Sequence, residues 1–163
     1  VHGMFGRMSD LVAKLQAVRG GADAIGGKLP QDDPLRQQLN ALSGRADAMR
    51  KQIVATKEGG AITGEERLRE FMDGLYGGLI GYEGKPADTL IAYTGVLERQ
   101  LGALENDFTA LRDGDLAKTN AALKAKGLPE IAIPDKAPLA WQSSGIPDAA
   151  AAQGRRKAGK PKK

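Results

Sequence analysis

Three aspartates, Asp107, Asp113 and Asp115, are the first candidates for chemistry, because clustered carboxylates are ligands of Ca²⁺. A calcium loop of the EF-hand type spreads its ligands over about twelve residues, with a glycine at position six and a glutamate at position twelve. The run Asp113-Gly114-Asp115 has neither that spacing nor the closing glutamate. We therefore interpret it as an aspartate cap at a break in a helix.

A second group of carboxylates, Glu65, Glu66, Glu70 and Asp73, recurs at spacings of three and four along one predicted helix. A di-iron site in a helical bundle adds a Glu-x-x-His motif, which this chain lacks, and its one histidine is His2. With no cysteine, thiolate ligands, iron–sulfur clusters and disulfides are also excluded. A solvated helix face explains these carboxylates better, and we predict no catalytic residue, no cofactor and no metal ligand.

Paired glycines at 20–21, 26–27, 59–60 and 77–78 raise the possibility of phosphate-binding loops. A phosphate loop follows a strand and precedes a helix, often with Lys-Ser or Lys-Thr. The pair at 59–60 follows a helical pattern instead, and no dinucleotide or Walker motif is present. These glycines are interpreted as helix ends and close helix contacts, with a bend expected at 20–21 and a tight contact at Gly77.

The positive charge of the chain belongs to its C-terminal end. The net charge is +4, and residues 1–127 are neutral, so residues 128–163 carry all of it. A flexible basic segment attracts polyanions weakly and without sequence preference. The six candidate residues for polyanion binding are Arg155, Arg156, Lys157, Lys160, Lys162 and Lys163.

Apolar residues at alternating spacings of three and four predict an all-α fold, an antiparallel bundle of four main helices and a short fifth helix. The helices are predicted at 4–26, 34–57, 64–81, 86–112 and 115–126. Asp33-Pro34 is a favoured helix start, and Thr63 with Glu66 forms a capping-box pattern. The fourth helix carries a heptad seam from Leu90 to Leu111, and a stop or kink is expected at Asp113 because an unbroken rod would outrun its partners.

After Gly127 the helical periodicity ends, and prolines, alanines and lysines dominate. This composition predicts that the bundle spans 1–127 and that 128–163 is an irregular, largely disordered tail. Trp141 is the exception and is expected to dock on the bundle. Asn120 is expected to bond the backbone near the Asp113 break. No apolar run is long enough to cross a membrane.

The region from Leu75 to Ile131 carries a recognisable order of features. A helix with Leu75-Tyr76 precedes a Gly-x-Pro turn, and a long leucine-rich helix follows. The terminal element contains Asp115, Leu116, Ala117, Asn120, Leu123, Gly127, Leu128, Pro129 and Ile131. This order resembles the C-terminal helical region of large bacterial proteins built on a sortilin-like β-propeller with Asp-box (BNR-type) repeats, often labelled glycosyl hydrolase-like.

The resemblance implies that the chain is the C-terminal fragment of a longer, exported protein, which agrees with its first residue being Val1 rather than methionine. The propeller and any hydrolase residues would lie outside these 163 residues. The expected function is a non-catalytic helical accessory or interaction domain, with the missing propeller or a second copy as partner. The alternative is a basic-tailed module that binds nucleic acid or another polyanion.

Overall fold

The computed structural model describes residues 2–56, 66–81, 84 and 86–137, with the side chain of His2 left out. Five α-helices are present among these residues, and no β-strand is found in them. They are α1 (His2–Gly26), α2 (Pro34–Ile53), α3 (Leu68–Ile80), α4 (Asp88–Leu111) and α5 (Ala117–Ala125). The predicted all-α fold is confirmed.

Helices α1 and α2 form an antiparallel hairpin with the predicted core stripes on both helices. The carboxylate of Asp33 accepts a hydrogen bond from the backbone N–H of Leu35 at 2.8 Å, which caps α2 directly before Pro34. The helix ends at Ile53, earlier than the predicted residue 57, because Val54 is extended. The buried side chains that the hairpin contributes to the hydrophobic core are Met4, Met8, Leu11, Val12, Leu15, Val18, Ala22, Leu35, Leu39, Leu42, Ala46 and Ile53.

Helix α3 begins at Leu68 rather than at the predicted residue 64. The carboxylate of Glu70 accepts from the backbone N–H of Arg67 at 2.9 Å, which satisfies one of the donors left open at a helix start. Glu66 and Arg67 therefore precede the helix. The predicted capping residue Thr63 lies outside the described residues.

The heptad seam of α4 is confirmed along most of its length. Its buried residues are Leu97, Leu101, Leu104, Phe108 and Leu111. Leu90, at the start of the helix, is partly buried, and its carbonyl accepts from the Thr94 hydroxyl at 2.9 Å. Helix α4 contacts α3 and also α1, and α5 contacts α2. The long helix α4 therefore connects α3 with the hairpin of α1 and α2.

Of the stop or kink expected at Asp113, the stop is wrong, since a π-helical turn over Arg112–Leu116 joins α4 to α5. Leu111 and Leu116 are both buried, yet they stand five residues apart. In a regular α-helix, a five-residue step would rotate Leu116 about 140° away from the seam. The wider π turn absorbs the extra residue and returns Leu116 to the core. The predicted fifth helix is therefore continuous with the fourth.

The buried polar residue of α5 is Thr119, not Asn120. Thr119 is fully buried, donates to the carbonyl of Asp115 at 2.7 Å and accepts from the amide of Gln38 at 3.2 Å. Asn120 is half-buried, and it bonds the backbone of Ile131 rather than the backbone near Asp113. The prediction that Asn120 bonds the backbone is confirmed, but its partner is Ile131 and not a residue near Asp113.

Residues 128–137, called here the C-terminal segment, are irregular but packed on the helices. Ile131 and Ala137 are buried, and Ile133 packs against the core. The backbone N–H of Ala137 donates to the Asp10 carboxylate at 2.7 Å. Residues 138–163, including Trp141, lie outside the described residues, so the tail predicted there stays a prediction.

One expectation about glycine is corrected and one helix end is confirmed. Helix α1 runs through Gly20 and Gly21 and ends at Gly26, as its predicted bounds of 4–26 required. The tight contact expected at Gly77 is absent, because a Cβ placed there would meet nothing within 4 Å among the described residues. The close approach is at Gly21, where a Cβ would lie 2.8 Å from Cγ2 of Ile131.

Candidate interaction surface

The hairpin of α3 and α4 carries large apolar side chains that remain in contact with solvent. Phe71, Tyr76 and Ile80 continue the apolar spacing of three and four along α3, which predicts that they are buried, but they are exposed at 38%, 40% and 68%. The buried residues of α3 are Leu68, Met72 and Leu75. A single packing face cannot hold seven large apolar residues within thirteen positions, so the excess projects from its flanks. The number of large apolar residues in α3 thus already indicated in the sequence that part of this helix has an exposed apolar surface.

One flank of the hairpin faces α1. The rings of Phe5 and Tyr76 meet edge to face, with centroids 5.9 Å apart. The guanidinium of Arg7 donates to both carboxylate oxygens of Glu105, at 2.9 and 2.5 Å, and this pairing raises the pKa of Arg7. Glu98 lies 3.4 Å from the same guanidinium. This flank is thus partly covered by aromatic and ionic contacts with α1.

The opposite flank, called here the outer face, consists of Phe71 on α3 and Tyr93, Val96 and Gln100 on α4. Tyr93 and Val96 precede Gln100 by seven and four residues, which places all three on one side of α4. Phe71 and Gln100 line the same groove between the two helices. Tyr93 and Val96 are exposed at 36% and 37%. The outer face is therefore an apolar strip with an amide beside it.

The groove of the outer face has a volume of about 370 Å³. Phe71 contributes an apolar wall, while Arg67 and Asp107 bring opposite charges to the rim. A groove lined by both apolar and polar residues can accept a side chain of another protein. The lining residues are Gln52, Glu66, Arg67, Leu68, Phe71, Gln100, Ala103, Leu104 and Asp107.

The aspartates singled out for calcium binding do not converge. Asp113 accepts from the Arg112 guanidinium at 2.7 Å, and this bond holds the pKa of Asp113 below its usual value. Asp115 is ion-paired with Arg45, and Asp107 lies in the groove. Within the described part of the chain, no group of three or more His, Cys, Asp or Glu residues is placed to hold a metal ion.

The carboxylates on α3 serve the helix and its surface. Glu70 satisfies the N–H of Arg67, and Asp73 lies 4.0 Å from Arg69, four residues earlier in the sequence. Such exposed pairs contribute little to stability. Glu65 and the six basic residues predicted to bind polyanions, 155–157, 160, 162 and 163, lie outside the described residues.

Comparisons of the chain with protein-family models, with curated proteins and with solved structures find no match. Among the described helices, none combines the length and the apolar character needed to cross a membrane.

Proposed function

We propose that this chain is a non-catalytic helical interaction domain that associates with a second copy of itself through the outer face. The supporting observation is the exposure of Phe71, Tyr93 and Val96 along one strip, beside a groove large enough for an apolar side chain. Exposed apolar side chains that line up on one surface mark contact sites more often than scattered ones do.

A two-fold arrangement fits the outer face. A two-fold axis passing near Gln100 would place the two α4 helices antiparallel to each other. Val96 of each copy would then lie over the Phe71 groove of the other copy. The small strip predicts an interface at the weak end of the range, with association seen only at high protein concentration.

Two substitutions on α4 test this surface with matched chemistry. Val96→Glu places a charge on the outer face. Ile91→Glu places one at another exposed apolar site, seven residues before Glu98 and therefore on the α1 flank. Sedimentation velocity over a range of concentrations should show association for the unmodified chain and for Ile91→Glu, and only monomer for Val96→Glu. A chain that stays monomeric throughout, or that is dissociated by Ile91→Glu alone, would contradict the proposal.

From the resemblance to propeller proteins, we also propose the position of this interaction domain within a longer protein. The interaction domain would follow a propeller in a longer exported protein, and any hydrolase activity would belong to that propeller. Sequencing upstream of the Val1 codon tests this placement, since an open frame with Asp-box repeats is expected. A stop codon immediately upstream would count against it.

A second candidate function, polyanion binding, is favoured by the charge distribution alone. The six basic residues of 155–163 fall within the last nine positions of the sequence. We propose that any binding to heparin or DNA would depend on them and would weaken steeply with salt. Heparin binding that persists after deletion of residues 154–163 would exclude this candidate.

A further inference from the structure

The C-terminal segment is bonded through its backbone by side chains of two helices. Asn120 of α5 donates to the carbonyl of Ile131 at 3.1 Å and accepts from its N–H at 2.9 Å. Asp10 of α1 accepts from the N–H of Ala137 at 2.7 Å. Backbone N–H and carbonyl groups are the same in all residues except proline, so these bonds do not depend on the side chains of the segment. Proteins that bind peptides obtain affinity from main-chain hydrogen bonds in the same way.

A missing side chain on α1 makes room for one side chain of the segment. A Cβ at Gly21 would lie 2.8 Å from Cγ2 of Ile131, so the glycine leaves a notch that the isoleucine fills. Ile131 is buried there. A notch for one branched side chain, next to groups that bond the backbone, adds selectivity to affinity. We call Asp10, Gly21 and Asn120 together the segment site.

The segment is joined to α5 by a turn. Gly127 has a φ of +69°, and the N–H of Leu128 donates to the Leu123 carbonyl at 2.9 Å, which closes the end of the helix. From Leu128 to Ala137 the chain belongs to no helix or strand. Pro129 and Pro134 restrict φ at two positions, so less conformational freedom is lost when the segment binds. The segment therefore has the properties of a short peptide ligand attached to the protein.

We propose that the segment site is a peptide-binding site, filled in a single chain by its own residues 128–137 and accessible to the same segment of a second copy. Covalent attachment gives the chain's own segment a high effective concentration, so the segment of another copy competes poorly. Weakening the attached segment should therefore open the site. The site lies on α1 and α5, whereas the outer face lies on α3 and α4, so this proposal does not rest on the outer face.

Binding of a fluorescently labelled synthetic peptide with the sequence of residues 128–137 tests the site by anisotropy. In a chain with Ile131→Ser and Ile133→Ser, the attached segment loses apolar contacts with the core. The peptide should bind this variant about tenfold or more tightly than the unmodified chain. Adding Gly21→Leu fills the notch and should remove binding, whereas Gly20→Leu, at the neighbouring exposed glycine, should preserve it.

A second peptide tests the recognition of the backbone. Methylation of the backbone nitrogen of Ile131 removes the donor to Asn120, and this peptide should bind about tenfold more weakly. Equal affinity of the two peptides would overturn the proposal. So would equal effects of Gly20→Leu and Gly21→Leu, or a double-serine variant that binds the peptide no better than the unmodified chain does.

A protease cleavage site inserted after Gly127 gives an independent test, because the native segment keeps its contacts until the chain is cut. After cleavage, excess synthetic peptide should replace the fragment that begins at Leu128, and gel filtration of the labelled peptide with the protein measures this exchange. Val96→Glu should not change the exchange, which separates this result from any failure of the outer face. A fragment that cannot be replaced, or that leaves without the peptide taking its place, would contradict the proposal.

Discussion

The side chain of Asn120 pairs with both polar backbone groups of Ile131. Its amide donates to the Ile131 carbonyl at 3.1 Å, and its carbonyl oxygen accepts from the Ile131 N–H at 2.9 Å. Asn120 thus takes the place that a neighbouring strand would hold beside an extended residue. The pairing fixes Ile131 over Gly21 and attaches the C-terminal segment to α1 and α5.

Removing the Asn120 amide should detach this part of the segment. Asn120→Ala leaves the N–H and carbonyl of Ile131 without these partners, and we expect a loss of about 1–3 kcal/mol in the free energy of unfolding. Urea denaturation measures the loss, with Asn40→Ala at an exposed position of α2 as the control. A change no greater than that of the control would show that the pairing contributes nothing.

The two adjacent glycines of α1 should respond oppositely to alanine. Gly20→Ala meets open space and should raise stability by about 0.5–1 kcal/mol through helix propensity. Gly21→Ala would push Cβ against Ile131, so the segment must shift and stability should fall. Thermal unfolding of both variants checks the contrast, and a stabilised Gly21→Ala protein would mean that the segment moves aside at no cost.

Gly77→Ala on α3 should behave like Gly20→Ala, because its Cβ also meets open space. The expected result is a higher melting temperature. A lower melting temperature would instead support the tight helix contact that the sequence predicted at Gly77.

Because of the π turn, deletion of Gly114 and deletion of Gly102 should have very different effects on the stability of the protein. Deleting Gly114 shortens the step from Leu111 to Leu116 to four residues, which a regular α-helix accommodates with both side chains still in the seam. Deleting Gly102 instead rotates one half of the α4 seam by about 100° relative to the other. Circular dichroism should show cooperative unfolding for the first variant and a severely destabilised protein for the second. Equal damage from both would contradict this role of the π turn.

The helices were predictable from sequence, whereas the contacts between them were less so. The apolar stripe from Leu97 to Leu111 follows from the spacing of apolar residues at three and four positions along one helix, which can be read from a single sequence. Asp113-Gly114-Asp115 suggested a break by the rules for isolated helices, yet the five-residue step from Leu111 to Leu116 required a π turn. The C-terminal segment was missed because its prolines indicated disorder, although it contains the apolar residues Ile131, Ile133 and Ala137 that pack on the helices. The outer face depends on the register of α3 against α4, which no single-helix pattern contains.

Acidification should weaken the junction of α2 and α5 at Asp33. Lys126 donates to the two oxygens of Asp33 at 2.6 and 2.9 Å, and this interaction, with the Leu35 N–H, holds the pKa of Asp33 below its usual value. A lowered pKa in the folded state stabilises the protein above the unfolded-state pKa of about 4, and that contribution is lost as the pH falls towards the folded-state value. Asp33→Asn keeps a cap acceptor but not the charge, so its stability should fall less between pH values of about 5 and 2. Identical acid dependence in the two proteins would exclude Asp33 as a contributor.

A single cysteine at Gln100 tests the proposed interaction domain most directly. A residue at a two-fold axis meets its own copy, so Gln100→Cys should give a disulfide-linked dimer rapidly under mild oxidation. Ile91→Cys is exposed on the same helix but lies about 180° around it from Gln100, on the α1 flank, and it should form dimer slowly. Faster dimer formation by Gln100→Cys, abolished when Val96→Glu is added, is the result predicted. Equal rates for the two cysteines, or no effect of Val96→Glu, would contradict self-association through the outer face.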